Sequence, residues 1–257
     1  MQNLLARIYQ KKEQLDKLRP LSDAHVKNLK NVYDIQLTYN SNAIEGSTLT
    51  YSETKLILNE GITIGGKSMN EHLETINHKE AIGFIEEVAK INTKEITLSD
   101  IKNIHHLILK GIDNKNAGVY RTRNVGVVKS DGEIHNFAEP LKINEKMNEF
   151  IDWLHNQTIE EPILLATLVH LKFVSIHPFI DGNGRTARLL MNLVLLQNGY
   201  PQAIVKVSNR VEYIQAIEKY QQTRDNEYND FYKVILKSVN DSLDLYSTII
   251  INDIQVI

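Results

Sequence analysis

Apolar residues recur at helical spacing along almost the whole chain of 257 residues, and this pattern restricts the possible folds most strongly. In the first segment the stripe contains Leu4, Leu5, Ile8 and Leu15. Since residues three and four apart share one helix face, the stripe predicts an amphipathic helix that ends before Pro20. Further helices are predicted at residues 23–37, 50–60, 69–91, 97–109, 144–154, 162–175, 185–197, 209–220 and 229–246.

One segment departs from the helical pattern. Residues 125–137 are rich in β-forming side chains, and Asp131 and Gly132 lie in the middle of them. An Asp-Gly pair between β-forming residues is a strong signal for a hairpin. The sequence therefore predicts an all-α protein with one small β-hairpin.

Composition and charge exclude several classes of protein. The net charge of −3 provides no basic face for nucleic acid, and the lack of cysteine excludes disulfides and zinc–thiolate sites. No apolar run approaches the roughly 20 residues that span a bilayer, and charged residues interrupt the first fourteen positions, unlike a signal peptide. We therefore expect a soluble, cytoplasmic protein that binds neither nucleic acid nor membrane.

Two segments have the glycine content of a phosphate-binding loop. The first, residues 61–68, matches the G-x-x-x-x-G-K-S pattern. That pattern binds phosphate between a buried parallel strand and a helix, whereas helices are predicted on both sides here. We interpret it as a turn between two helices and keep a P-loop NTPase as an alternative, which Lys67→Ala would test.

The second segment, residues 177–188, reads HPFIDGNGRTAR. Pro178 disfavours helix at His177, so the preceding helix should end there. Gly182 and Gly184 allow the backbone to approach a ligand closely. The next helix begins nearby, and its free N–H groups and positive dipole end form an anion site.

The side chains of this segment add the remaining parts of a nucleotide site. Arg185 and Arg188 share a helix face and can reach one polyphosphate. Asp181 offers a hard oxygen ligand for Mg²⁺, and His177 is the group that can accept a proton near neutral pH. Together these residues indicate attack by a substrate hydroxyl on a nucleotide phosphate.

Three other histidines carry no predicted chemistry. His105 and His106 are adjacent on a helix and therefore point to different faces. His170 precedes His177 by two helical turns, but the helix break and the lack of a third ligand argue against a metal pair. We interpret His170 as a packing or hydrogen-bonding residue.

The twelve residues from 177 to 188 match the Fic signature H-P-F-x-[D/E]-G-N-G-R-x-x-R at every defined position, so the chain resembles the Fic family. The resemblance covers about residues 95–237. The segment 118–121 and the hairpin resemble the family's flap, and Asn209 and Tyr213 resemble the segment that closes over the adenine.

This resemblance implies a helical Fic fold that binds ATP with Mg²⁺ and transfers AMP to a Tyr, Thr or Ser hydroxyl of a target protein. His177 would deprotonate that hydroxyl, and Asp181 would hold the metal. The implied phosphate-binding residues are Gly182, Asn183, Gly184, Arg185 and Arg188. The flap, about residues 127–138, would align the target main chain through Val127, Val128, Lys129 and Ser130.

Residues 39–46 resemble the family's inhibitory motif, [S/T]-x-x-x-E-[G/N]. If they form a short helix, Ser41 and Glu45 share one face, and Glu45 can pair with Arg188 through a bidentate fork. The alternative interpretation is an N-terminal capping box formed by Asn42 and Glu45. The resemblance favours an N-terminal brake on activity.

The implied organisation has three parts: an N-terminal helical region (1–94) with the brake, a Fic catalytic domain (95–237) and a C-terminal helical tail (238–257). Release of the brake would require a helix shift. The sequence leaves open whether formation of a homo-oligomer or self-labelling of a nearby residue causes that shift. Three other functions remain as alternatives: removal of AMP with Glu45 positioning water, the P-loop NTPase, and a non-catalytic nucleotide- or protein-binding module. Phosphorylation of the target, as in the family's Doc-like branch, is a minor alternative, because that branch departs from the loop sequence at residues 182–185.

Overall fold

The structure, a computed structural model, describes residues 1–91, 96–223 and 227–251, and it confirms the predicted all-α architecture with one small hairpin. The helices are α1 (Gln2–Lys17), α2 (Asp23–Ile44), α3 (Tyr51–Glu60), α4 (Met69–Val88), α5 (Leu98–Leu109), α6 (Ile143–Asn156), α7 (Pro162–Ile176), α8 (Asn183–Gln197), α9 (Arg210–Gln222) and α10 (Asn229–Ile251). The strands are β1 (Gly126–Val128) and β2 (Ile134–Asn136). Two 3₁₀ turns, Pro140–Lys142 and Val207–Asn209, precede α6 and α9.

Helices α7 and α8 lie at the centre of the bundle. α7 is apolar on nearly all sides, as expected of a helix that other helices surround. It begins at Pro162, whose missing N–H needs no partner in the first turn, and the Glu161 carboxylate accepts from the N–H of Ile163 (2.9 Å). α8 packs against α2, α4, α5 and α7, and nearly all its side chains from position 183 to 195 are buried. This packing holds the N-terminus of α8 in a fixed place.

Helix α2 differs from the prediction. The sequence predicts a helix that ends at residue 37 and a separate short helix at 39–45, but α2 is continuous up to Ile44, so the predicted break is wrong. Asn40 and Ser41 in this stretch are buried and bond distant partners. The N–H of Val207, for example, donates to Asn40 Oδ1 (2.9 Å). Sequence periodicity could not show these partners.

The end of α2 also excludes the capping-box interpretation. Asn42 lies inside the helix, and no hydrogen-bond partner of its side-chain amide is found within the described part of the chain. Glu45 is the C-cap residue, and the N–H of Ser47 donates to the carbonyl of Asn42 (3.0 Å). Gly46 has φ of 106°, which glycine adopts without a side-chain clash, and it lets the chain turn away from the helix.

The glycine-rich segment 61–68 joins α3 to α4, as the flanking helices predict. Gly61 ends α3 with φ of 66°, and Ser68 caps α4. Lys67 Nζ donates to the carbonyl of Thr48 (2.6 Å) and does not face a phosphate cradle. The only sheet in the described residues is the antiparallel hairpin, so the parallel strand that a P-loop requires is missing there.

The hairpin forms at the predicted place. Val128 pairs with Ile134, and the two strands are antiparallel. Residues 129–133 connect them, with Gly132 at φ of 87°. The loop is therefore longer than a two-residue turn, although the Asp-Gly pair lies at its centre.

One buried apolar cluster extends from Ile8 in α1 to Ile249 in α10, and these two helices pack along each other. The three-part organisation stays a prediction. Its boundary between 95–237 and 238–257 lies inside α10, and residues 252–257 are outside the described part of the chain. Among the described helices, none combines the length and the apolar content needed to cross a bilayer.

Glu71, in the first turn of α4, connects the segment after α2 to the start of α4. Its Oε1 accepts from the N–H and hydroxyl of Thr48 (both 2.8 Å), and its Oε2 accepts from the N–H of Ser68 (3.0 Å). These donors favour the charged carboxylate. They lower the pKa of Glu71 from 4.5 to about 2.

We predict that Glu71→Gln lowers stability at pH 7 by about 1 kcal/mol, the usual size of a capping contribution. Because the folded-state pKa lies below the unfolded one, the Glu71 contribution is complete above about pH 4.5 and is lost as pH falls towards about 2. The variant should therefore lose less stability than wild type across this range in urea titrations.

The matched control is Glu87→Gln, because Glu87 lies on the same helix and bonds Lys90 at the surface. It should leave the acid dependence unchanged. An equal effect of both substitutions would contradict the role of Glu71.

Candidate active site

The loop between α7 and α8 has the conformation that its residues predict. His177 ends α7 with φ of 52°, and it is the one non-glycine residue with a left-handed φ among the residues described. Such backbone strain is often found at functional sites. Gly182 precedes α8 with φ of 74°. The Asn183 side chain accepts from the N–H of Phe179 (3.0 Å) and donates to its carbonyl (2.9 Å), which fixes the loop between the two helices.

The ring of His177 is held in one orientation. Its Nδ1 lies 3.3 Å from the carbonyl of Val174. A carbonyl can only accept, so Nδ1 carries the proton and Nε2 is left as a proton acceptor. Phe137 stacks on the ring with centroids 4.0 Å apart. Burial is the main reason that the pKa of His177 falls to about 4, so the imidazole is neutral at pH 7.

Arg121 connects His177 to the flap. Its guanidinium donates to the carbonyls of His177 (2.9 Å), Arg123 (3.0 Å) and Ala138 (2.5 Å). Arg121 lies in the segment whose sequence resembles the flap, but the sequence did not indicate which groups it contacts. The buried cation Arg121 therefore holds both ends of the flap against His177.

His105 is a second residue that sequence reasoning missed. Its ring stacks on Phe179 with centroids 3.6 Å apart. Nδ1 accepts from the N–H of Gly118 (2.9 Å), so Nε2 carries the proton and donates to the carbonyl of Asp181 (2.8 Å). A Cβ at Gly182 would lie 3.2 Å from this ring, so the glycine permits the close approach. The only sequence signal was a histidine on an apolar helix face.

A cavity of about 600 Å³ lies between this loop and the flap. Its lining includes His177, Asp181, Gly184 and Glu45, together with Arg123 before the flap, which the sequence analysis did not select. The cavity therefore brings the predicted base, metal ligand, phosphate loop and brake to one place.

Asp181 is suited to one metal contact. Its side chain is 69% exposed, and Oδ2 lies 3.5 Å from Arg185 Nη2. The described residues contain no group of three His, Cys, Asp or Glu that could hold a metal alone. Mg²⁺ typically takes one or two carboxylates, and substrate phosphates and water complete its shell. The arrangement at Asp181 fits such a shared site.

The two arginines of the segment are buried and paired with different helices. Arg185 Nη1 contacts Glu74 Oε1 of α4 (3.0 Å), and burial raises the pKa of Glu74. Arg188 Nη2 contacts Glu45 Oε1 (2.7 Å), and Arg188 Nε donates to Ser41 Oγ (3.0 Å). The predicted contact between Glu45 and Arg188 is present, but it uses one carboxylate oxygen and not the predicted bidentate fork. Ser41, which the sequence places on the same helix face, is a further partner of Arg188.

The Glu45 carboxylate also occupies space at the N-terminus of α8. A Cβ placed on Gly184 would collide with Glu45 Oε1 and would lie 3.3 Å from Arg188 Nη1. The helix N-terminus attracts negative charge. Glu45 thus lies where an anionic group of a ligand would bind.

Some predicted residues lie elsewhere. Asn209 and Tyr213 do not line the cavity, and Tyr213 is buried beneath Arg188.

On the flap, Val127 lines the cavity. Val128 is 73% exposed. Lys129 Nζ contacts the turn carboxylates Asp131 and Glu133, and the Ser130 N–H donates to Glu218 Oε1 of α9 (3.0 Å).

Comparison with known proteins identifies close similarities. Residues 95–195 match the family model described as "Fic/DOC family". A solved Fic domain containing signaling protein from Bacteroides thetaiotaomicron is 30% identical, with a TM-score of 0.85 over 95% of this chain and 96% of that one. Fic-1 (residues 134–508) of C. elegans is 30% identical, with a TM-score of 0.82 over 98% of this chain and 73% of that one.

One curated relative is named after an enzyme activity. "Protein adenylyltransferase Fic" of Nematostella vectensis is 35% identical over 95% of this chain, but the match covers 56% of that protein. The chain thus spans about half the length of this curated relative.

We predict that His105→Phe lowers the free energy of unfolding by about 2 kcal/mol. Phenylalanine can still stack on Phe179, but the N–H of Gly118 and the carbonyl of Asp181 lose their partner, and each unsatisfied group costs about 1–3 kcal/mol. Urea denaturation measures the loss, and amide hydrogen exchange at Gly118 should become faster.

The matched control is His106→Phe at the adjacent exposed position. It should change stability by no more than about 0.5 kcal/mol. Equal destabilisation by the two variants would show that His105 does not hold the loop.

Proposed function

Because this chain belongs to the Fic/DOC family, we propose that it transfers AMP from ATP to a Tyr, Thr or Ser hydroxyl of a target protein. The observation that carries the proposal is the shared cavity, where a neutral, oriented imidazole at His177 faces a helix N-terminus with two buried arginines behind it. The name of the Nematostella vectensis relative supports the same reaction.

His177 acts as the general base. Its Nε2 accepts the proton of the target hydroxyl, and the hydroxyl oxygen then attacks the α-phosphorus of ATP. The bond from that phosphorus to the bridging oxygen breaks, and pyrophosphate leaves. Since Phe137 and the Val174 carbonyl orient the ring, the base needs little rearrangement when substrate binds.

The phosphates bind at the start of α8. The backbone N–H groups of Asn183, Gly184 and Arg185 are among the first four of the helix, which have no acceptor within it. The dipole of α8 adds positive potential at the same point. We assign these residues to the α- and β-phosphates and Arg188 to the γ-phosphate, with most of the rate arising from charge stabilisation and positioning.

Asp181 would hold Mg²⁺ through one carboxylate oxygen, with the phosphates and water completing the shell. When bound, the cation would offset negative charge on the phosphates. The exposure of this carboxylate beside the cradle supports the assignment.

The flap aligns the target by strand addition. β1 runs beside the cavity with Gly126 and Val127 in its lining, so an extended target segment paired with the hairpin would bring its hydroxyl towards His177. Val128, Lys129 and Ser130 continue the flap into its turn. Main-chain pairing is largely independent of the target's side chains, so other surfaces must select the target.

Glu45 is the brake on this reaction. Its carboxylate pairs with Arg188 and fills the space above Gly184, so ATP cannot place its γ-phosphate on Arg188 while Glu45 remains there. Binding in another pose would misalign the α-phosphorus with the target hydroxyl. A shift of the end of α2 would release the site.

Removal of AMP is a second candidate for the same cavity. Glu45 and His177 both line it, and a carboxylate there can orient water towards a phosphorus. In this reaction Glu45 would be required, whereas in AMP transfer it inhibits. The two functions therefore respond oppositely to its substitution.

We predict that Glu45→Gly raises AMP transfer by about ten- to a hundredfold, because a hydrogen-bonded contact to a charged group contributes about 1.5–3 kcal/mol to the inhibited state. Purified protein is incubated with Mg²⁺ and ATP labelled on the α- or the γ-phosphate in a lysate of the source cell. Protein should acquire label from the α-phosphate alone.

Two further variants complete the test. Glu45→Gly/His177→Ala should lose the label, and Glu45→Gln, which keeps the size but removes the charge, should be activated less than Glu45→Gly. Label from the γ-phosphate would indicate phosphoryl transfer and overturn the proposal. Loss of activity on an AMP-modified protein in Glu45→Gly would instead support AMP removal.

A further inference from the structure

Within the described part of the chain, the Arg188 guanidinium has four hydrogen-bond contacts, and three of them are with the helix that carries the brake and its C-cap. Its guanidinium donates to Ser41 Oγ (3.0 Å), the Ser41 carbonyl (2.9 Å) and Glu45 Oε1 (2.7 Å). The fourth contact is from Nη1 to the hydroxyl of Tyr213 on α9 (3.2 Å). Among the described residues, Tyr213 is thus the one hydrogen-bonding partner of this side chain outside α2 and its C-cap.

Release of the brake affects these contacts unequally. Ser41 and Glu45 are one helical turn apart at the end of α2, so a shift that withdraws Glu45 also moves Ser41. Tyr213 belongs to α9, which packs on α7 and α10. It is 1% exposed. The first residue of α9, Arg210, does bond the end of α2 by donating to the carbonyl of Ile44 (2.8 Å). Tyr213 lies about one turn further along α9, so we expect it to stay beside Arg188 when Glu45 is withdrawn.

The direction of the hydrogen bonds makes this contact specific. A guanidinium can only donate, so the Tyr213 oxygen accepts from Arg188. The arrangement that also gives the Tyr213 proton an acceptor directs it to His170 Nε2, 2.8 Å away. His170 Nδ1 then carries the ring proton, and it has no hydrogen-bond partner among the described residues. His170 is completely buried, and burial, aided by the charge of Arg188, lowers its pKa well below the usual range. A neutral His170 therefore keeps Tyr213 oriented as an acceptor for Arg188.

We propose that Tyr213, held by His170, positions Arg188 for the γ-phosphate of ATP and makes no contact with adenine. This inference rests on the proposed function, which assigns the γ-phosphate to Arg188. The ring adds to the contact, because the guanidinium carbon lies 5.8 Å from the ring centroid, within the range of a cation–π interaction. Tyr213 is a positioning residue, since it acts through Arg188.

The consequence is selectivity for ATP over ADP. Both nucleotides can donate AMP to a hydroxyl, with pyrophosphate leaving from ATP and inorganic phosphate leaving from ADP. Only ATP has the γ-phosphate that Arg188 would bind. A loosely held Arg188 should therefore impair the use of ATP and leave the use of ADP nearly unchanged.

The test compares Glu45→Gly with Glu45→Gly/Tyr213→Phe. We measure kcat/KM of AMP transfer with α-labelled ATP and α-labelled ADP on one preparation of each protein. Loss of one hydrogen bond to a charged group should lower the value for ATP about tenfold, with a change of no more than about twofold for ADP. The ATP/ADP ratio does not depend on the folded fraction, so a general loss of structure cannot imitate the result.

Tyr220→Phe is the matched control. Tyr220 lies on α9 and is buried, but no hydrogen bond joins its hydroxyl to Arg188. It should leave the ATP/ADP ratio unchanged. An unaltered ratio in Tyr213→Phe, or an equal loss with both nucleotides, would overturn the inference.

Binding measurements separate this inference from the proposed function. In a Glu45→Gly/His177→Ala background, calorimetry should give a weaker Kd for ATP in Tyr213→Phe, and the Kd for ADP and AMP should stay the same. Weaker AMP binding would indicate an adenine contact and overturn the inference. Absence of AMP transfer in Glu45→Gly alone would instead contradict the proposed function, while the binding measurements would still test Tyr213.

Discussion

The rest of the structure depends on the burial of one cation, Arg188, near the start of the central helix. An unpaired charge in a protein interior is strongly unfavourable, so several elements must supply acceptors. Helix α2 supplies Ser41 and Glu45, and α9 supplies Tyr213. The need to pair this guanidinium thus joins the N-terminal helices to the core. It also makes the proposed brake a structural contact, because the Glu45 carboxylate is one of the groups that satisfy the buried charge.

A second constraint is the rigidity of the α7–α8 loop. Asn183 bonds both backbone groups of Phe179, His105 holds the carbonyl of Asp181, and Arg121 joins the carbonyl of His177 to the base of the flap. These residues hold the loop so that the His177 imidazole, the Asp181 carboxylate and a helix N-terminus share one cavity. Such preorganisation is what charge stabilisation of a transition state requires.

Several features were predictable because their causes are local in sequence. Helix positions follow from apolar spacing, the hairpin from Asp131 and Gly132, and the break after α7 from Pro178. Other features have distant causes. Asn40, which lies in the continuous α2 beyond the predicted helix end at residue 37, accepts from the N–H of Val207, far along the chain. The short match that suggested an adenine contact for Tyr213 gave no sign that the fold buries this residue beneath Arg188.

The sequence by itself determined the helical class, the hairpin and the twelve residues that carry the proposed base, the carboxylate and the two arginines, since each depends on neighbours a few positions apart. Only the tertiary structure decided which residues hold those groups. Glu74 on α4 meets Arg185, and His105 on α5 meets Asp181, because α4 and α5 both pack against α8. Neither contact produces a periodic pattern in the sequence. Each contact depends on how different helices pack together, and not on the spacing of residues within one helix.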